Sequence, residues 1–206
     1  MNNRLLTLIV VGVVALGAGL GIGAAVWAGG DHGGGSTGHS SNGMMDSSDD
    51  TLMMTTGPLD ERSFMEQMVP HHESAIAMAT LALEKARRPE VRRLAQQIID
   101  AQGTEVAEMR DWHREWFGSE LRPSSEGPHA SMDMGPLEEA TGEDFDRAFL
   151  RMMISHHASA IMMAEAVMMD EPRTQVGDLA SEVVAAQAAE IGQMQRWRQQ
   201  WFPPLG

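Results

Sequence analysis

The sequence contains no cysteine and no tyrosine. Without cysteine there is no disulfide, no thiolate metal site and no lipidated Cys. Basic residues are also scarce: 15 Lys and Arg against 29 Asp and Glu leave a formal charge of −14. That balance argues against a nucleic-acid binder, which needs cationic groups to displace counterions from phosphates. It suits a soluble surface with a mild attraction for cations. Aromatic side chains are few, five Phe and five Trp, whereas methionine reaches 18.

One long apolar run lies at the start. Arg4 precedes an uncharged, mostly apolar stretch over residues 5–28, closed by Val26-Trp27-Ala28. It is longer than a usual signal-peptide core and long enough to span a bilayer. Residues 1–28 therefore read as a cleaved export signal or a retained membrane anchor. Either way Arg4 stays in the cytoplasm and the remainder lies outside it, secreted or held at the outer face of the cytoplasmic membrane. Residues 29–58 are rich in Gly, Ser, Thr and Asp without apolar periodicity, as in a flexible tether. His32, His39, Met44, Met45, Met53 and Met54 punctuate it, which fits a plain linker or a loose metal-capturing arm.

Four helical patterns follow. The first covers residues 60–87 with Asp60 as N-cap, and the second residues 89–117, between Pro89 and Gly118. Thr141 with Asp144 reads as a capping box opening the third, which ends near Met169. The fourth begins near Pro172 and stops at Pro203-Pro204. Residues 119–140, with His129, Met132 and Met134, form a loop.

Residues 64–117 and 149–202 align without a gap at an offset of 85. VPHHESAIAMA recurs as ISHHASAIMMA, and Gln102, Glu105, Met109, Trp112, Trp116 and Phe117 recur as Gln187, Glu190, Met194, Trp197, Trp201 and Phe202. The unit is a helical hairpin. Two hairpins predict an all-α domain over residues 59–203, an antiparallel four-helix bundle with pseudo-twofold symmetry.

Helical spacing places Met65, Met68, His72, Ala75, Ile76, Ala79 and Leu83 on one buried stripe, with His71 and Met78 at its edge. On the second helix the stripe holds Leu94, Ile98, Gln102, Glu105, Met109, Trp112 and Trp116. Counting from the turn near Arg88 sets His72 level with Glu105, Met68 with Met109, and Phe64 with Trp112. The second hairpin repeats this with His157 and Glu190, Met153 and Met194, Phe149 and Trp197. An up-down-up-down bundle makes helices one and three parallel. These layers then coincide as one aromatic layer, one of four methionines, and one of four histidines with two glutamates. Buried together, such polar groups must satisfy each other or bind something. Met152 and Met162 fall off the stripe, so packing does not account for them. Pro70 removes the donor to the Glu66 carbonyl and is expected to open the bundle beside the histidines.

Thioether sulfur is soft and carries no proton, and soft ligands select Cu(I), while imidazole serves Cu(I), Cu(II) and zinc. Met with His in an exported, cysteine-free chain points to copper. Di-iron bundles instead need two Glu and two Glu-x-x-His motifs. Here the one Glu-x-x-His, Glu126 to His129, lies in the loop.

The segments FMEQMVPHHESAIAMA and FLRMMISHHASAIMMAEAV, each followed by a helix with a late W-x3-W, resemble the family named domain of unknown function 305. The resemblance covers about residues 60–202 and implies an exported, ferritin-like helical bundle. Some members, of CopM type, bind copper and support copper resistance, which implies copper binding by Met and His here. The expectation is an extracytoplasmic Cu(I) buffer, scavenger or chaperone without turnover, whose partners are copper ions and other copper-handling envelope proteins. The ligand set comprises Met68, His71, His72, Met78 and Met109 with Met153, His156, His157, Met163 and Met194. Glu105 and Glu190 orient the imidazoles from behind. The alternatives are a di-metal oxidase using four His and two Glu, and a metal-free envelope interaction module.

Overall fold

The computed structural model describes residues 57–121 and 133–203. The export segment, the linker up to residue 56, His129 and Met132 lie outside the described residues. Among the described residues no helix is long and apolar enough to cross a membrane.

The domain is all-α. Its helices are α1 (Glu61–Lys85), α2 (Pro89–Phe117), α3 (Gly135–Glu139), α4 (Gly142–Met168) and α5 (Thr174–Trp201). The expected end signals act largely as read. The Asp60 carboxylate accepts from the Ser63 N–H at 2.9 Å, and Gly118 closes α2 in the left-handed region at φ 68°. α1 runs unbroken through Pro70. Two local expectations need correction. Thr141 stands at the N-cap of α4 but makes no side-chain cap bond. Gly142 adopts φ 59° and bridges to Ala86, so backbone pairing with the first hairpin starts this helix instead of a capping box. α3 lies within the expected loop, too short to show periodicity; its Leu137 is fully buried.

α1 packs on α2 and α4 on α5, as two helical hairpins, and the hairpins join through α1 and α4. The direction of that joint overturns the expected layering. The Leu59 N–H donates to the Ala166 carbonyl at 3.1 Å, and Asp146 at the start of α4 binds the Arg87 and Arg88 N–H groups at the end of α1. α1 and α4 are therefore antiparallel. The phenylalanines and methionines of the two repeats do not share layers. They separate into two cores on either side of the histidines. Phe64, Met65, Met68 and Met109 pack with Met163, Val167 and Leu179 in one core. Met78, Leu94 and Ile98 pack with Phe145, Phe149, Met153 and Met194 in the other. Each core draws on all four long helices.

A reciprocal clamp holds the hairpins in register. Asp146, fully buried, accepts from the backbone N–H groups of Arg87 (3.0 Å) and Arg88 (3.1 Å), which lie in the turn between α1 and α2. At the equivalent place Glu61 binds the backbone N–H and guanidinium of Arg173. Arg88 lies over Trp201 at 4.3 Å and Arg173 over Trp116 at 4.5 Å, each from one hairpin's turn to the other hairpin's last turn. Such cation–π contacts contribute about 0.5–2 kcal/mol apiece.

Burial pushes the Asp146 carboxyl above its ordinary pKa, against the pull of the two N–H groups and the Arg88 and Arg92 charges. The folded chain thus holds this proton to higher pH than the unfolded chain does. The corresponding stability is present below the ordinary carboxylate value and is lost as pH rises through the raised folded value. Asp146→Asn should flatten this limb of a stability–pH profile measured by urea unfolding. Asp146→Ala strands two N–H donors and should cost about 1–3 kcal/mol at neutral pH; an unchanged midpoint would show that the clamp contributes nothing.

Candidate metal centre

The two His-His pairs meet where α1 and α4 cross. His71 and His156 stack with ring centroids 3.7 Å apart. His71 Nε2 lies 2.7 Å from Ser159 Oγ, and His156 Nε2 lies 2.6 Å from Ser74 Oγ. Each serine hydroxyl also donates to a carbonyl one turn back on its own helix, Ser74 to His71 at 2.9 Å and Ser159 to His156 at 2.7 Å. With its one proton so used, each serine oxygen accepts from the facing Nε2–H. The conformation of one hairpin thereby sets the tautomer of the other hairpin's imidazole.

His72 and His157 turn toward their own hairpins. His72 Nε2 lies 2.6 Å from Glu105 Oε2, and His157 Nε2 lies 2.6 Å from Glu190 Oε2. Counting from the turn therefore places these pairs correctly. Both imidazoles are fully buried, while the carboxylates keep partial contact with solvent. A carboxylate accepts, so Nε2 carries the proton and donates. In the neutral ring Nδ1 is then a bare lone pair. Neither His72 Nδ1 nor His157 Nδ1 has a hydrogen-bond partner, and both are buried. Leaving such an acceptor dry costs about 1–3 kcal/mol. A proton-free, carboxylate-backed imidazole nitrogen is the form that binds metals.

The ten expected ligands are all buried. Met68, Met78, Met109, Met153 and Met194 are fully enclosed, and Met163 retains a trace of exposure. Met68 stands four residues before His72, and Met153 four before His157, so each thioether shares a helix face with an imidazole. Met109 relates to Glu105, and Met194 to Glu190, in the same way. The antiparallel crossing puts Met68 and Met109 on one side of the histidines and Met153 and Met194 on the other. Two His-Glu pairs thus flank a central imidazole stack, with buried methionines on the neighbouring turns. Among the described residues no three His, Asp or Glu side chains converge into a metal-holding group. The four-histidine, two-glutamate oxidase cluster is not assembled.

Three features were not read from the sequence as parts of the site. Ser74 and Ser159 recur in both repeats, which was the available signal. Gln102 and Gln187 are buried one turn from Glu105 and Glu190, each with an unpartnered Oε1. Glu108, beside Glu105 and facing Glu182 of α5, has its pKa raised by burial and by those two negative charges. Negative charge thus gathers around Glu105 and Glu108. Of the methionines placed off the stripe, Met162 is exposed, whereas Met152 is half-buried against a core. His113, also unforeseen, is a buried brace, with Nδ1 2.9 Å from the Ser119 carbonyl.

With this geometry in view, the comparisons with known proteins are consistent. The sequence model of the family described as Domain of unknown function (DUF305) matches residues 27–113 and 60–198. The solved structure of CopM in the Cu(I)-bound form is 40% identical, covers 70% of this chain and 99% of its own, and superposes with a TM-score of 0.65. CopM in the Cu(II)-bound form gives 38% identity, 70% and 99% coverage, and a TM-score of 0.66. Uncharacterized protein L153 of Acanthamoeba polyphaga mimivirus is 33% identical over 51 residues, 25% of this chain and 34% of that protein. The chain thus spans about a third of that relative's length. The chain belongs to the DUF305 family.

The crossed Ser–His bonds give a test that needs no metal. Ser159→Ala and Ser74→Ala should each destabilise the metal-free protein by about 1–2 kcal/mol, since a buried imidazole loses its acceptor. In a double-mutant cycle by chemical denaturation the two should couple, because they share the stacked pair. Strict additivity would mean that the two bonds are independent.

Proposed function

We propose that this protein is an extracytoplasmic copper-binding protein: a buffer, scavenger or chaperone that holds Cu(I) through methionine and histidine and performs no catalytic turnover. We read its hairpins as the halves of a four-helix bundle with the copper site at their joint. The observation that carries the proposal is the pair of buried, unpartnered Nδ1 atoms on His72 and His157, each backed by a glutamate. Buried methionines share their helix faces. The likeness to CopM, solved with Cu(I) and with Cu(II), supports copper as the cargo. Export through residues 5–28 would bring the domain to a compartment where thiols oxidise and thioethers do not form disulfides.

The chemistry follows from the donors. Thioether binds Cu(I) without releasing a proton, and a neutral imidazole with Nδ1 bare does the same, so uptake needs no prior ionisation. Met68, Met109 and His72 would serve the ion on one side, and Met153, Met194 and His157 on the other. His71 and His156 join the two sides, and Met78 and Met163 extend the sulfur set. Glu105 and Glu190 hold the ring orientation and offset the ion's charge. A partner envelope protein would receive the copper by ligand exchange.

Anaerobic titration should show Cu(I) retained against a chelator far better than Zn(II), and X-ray absorption should show sulfur and nitrogen neighbours. Glu105→Gln with Glu190→Gln should weaken retention about 10–100-fold while the fold persists. A loaded sample with only nitrogen and oxygen neighbours would reject the thioethers, and Glu-dependent oxygen consumption with Fe(II) would reject a non-catalytic role.

A further inference from the structure

α4 ends unlike the other long helices. α1, α2 and α5 carry Lys85, Arg114 and Arg198 in their last turns, whereas α4 carries no basic residue there. Asp170 and Glu171 follow it directly, both exposed. The negative end of the helix dipole is thus reinforced, which favours a cation. On these same turns stand the only large apolar side chains exposed among the described residues, Met162 at 43% and Met169 at 61%. Seven residues apart, they lie on one stripe of the helix, with exposed Glu165 between them.

Packing does not explain the pair. The first repeat builds the same hairpin with Ala77, Thr80 and Glu84 at the positions of Met162, Glu165 and Met169. The fold therefore does not need thioethers there, and exposed methionine gains little from burial. What methionine adds is a soft, proton-free donor on a flexible, unbranched chain, able to close on an ion from two turns away. The adjacent Met163 points inward and is nearly buried, so donors continue from surface to interior along one helix.

We infer that Met162 and Met169, with the Glu165 carboxylate between them, form a surface capture site for a soft monovalent cation, separate from the histidine centre. Two thioethers and one exposed carboxylate make a weak, exchangeable site, as suits loading rather than storage. This inference rests on the copper-binding reading, with Cu(I) as the natural occupant.

The test uses the full chain with 13C-labelled methionine methyls and Ag(I), a soft monovalent ion without redox chemistry. The methyl signals of Met162 and Met169 should shift together on titration, and Met162→Leu with Met169→Leu should lower the Ag(I) bound per chain by one. Because both positions are exposed, that variant should keep the wild-type circular dichroism. If it is nonetheless poorly folded, the methyl shifts of the unmutated chain decide alone. Shifts at Met68 and Met153 without any at Met162 and Met169 would overturn the capture site and leave the copper reading standing. A chain in which no methionine methyl responds would overturn both.

Discussion

Everything in this domain depends on how four imidazoles are buried at one helix crossing. An imidazole has two nitrogens that need partners, and an apolar core supplies none. The chain answers by making the crossing twofold. His71 uses Ser159 and His156 uses Ser74, so each hairpin completes the other. His72 and His157 use glutamates of their own hairpins. The contacts between helices are hydrogen bonds of fixed direction, and they set the crossing more narrowly than Ala, Ile and Met could. They also force the two apolar cores apart, so soft sulfur flanks the polar layer on both sides. Fold and donor set are consequences of one arrangement.

The duplicated features and the unmatched ones divide by role. The clamp of Asp146, Arg88 and Trp201 has its counterpart in Glu61, Arg173 and Trp116. Arg62 over Phe117 is matched by Arg147 over Phe202. The clamp contacts hold the hairpins together, whereas the Arg–Phe contacts tie the first and last turns of each hairpin to each other. The Arg110–Glu73 ion pair, at 2.6 Å, has only Gln195 and Ala158 at the matching positions. Buried His113 corresponds to Arg198, and Pro70 to Ser155. These differences leave the His, Ser and Glu residues that make the crossing bonds unchanged in both halves.

Much of this was legible in the sequence because helical period and repeat offset are local signals. Helix limits, the two hairpins, and the pairing of His72 with Glu105 and His157 with Glu190 all follow from counting along a chain whose turns are short. The direction of α4 against α1 does not. Phe117 lies at the start of α1, under Arg62, and Gly142 lies at its end, bridged to Ala86. A connection of that length reaches either end of a 29-residue helix, about 43 Å long, so connectivity imposes no direction. The direction is decided by Asp146, Glu61 and the serines, whose partners are distant in sequence. A periodicity argument sees them only as polar residues near helix ends or on a flank.

The antiparallel crossing also bears on how an interior with this many buried polar atoms is stable without a bound ion. A buried methionine packs as a hydrophobe whether or not its sulfur binds anything, so the methionines carry little strain in the metal-free chain. The buried atoms left without a hydrogen-bond partner include His72 Nδ1 and His157 Nδ1, and the amide oxygens of Gln102 and Gln187 one turn from the glutamates. All four act as acceptors, and no donor is aimed at them. A lone buried acceptor is a modest penalty that the folded chain can carry. A cation relieves it directly, whereas a neutral apolar guest does not. The two glutamates, partly open to solvent, keep enough charge nearby to favour that ion over an added proton donor. These side chains sit on helices whose backbone the clamps already hold, so on the proposed reading binding would have little conformational entropy left to remove.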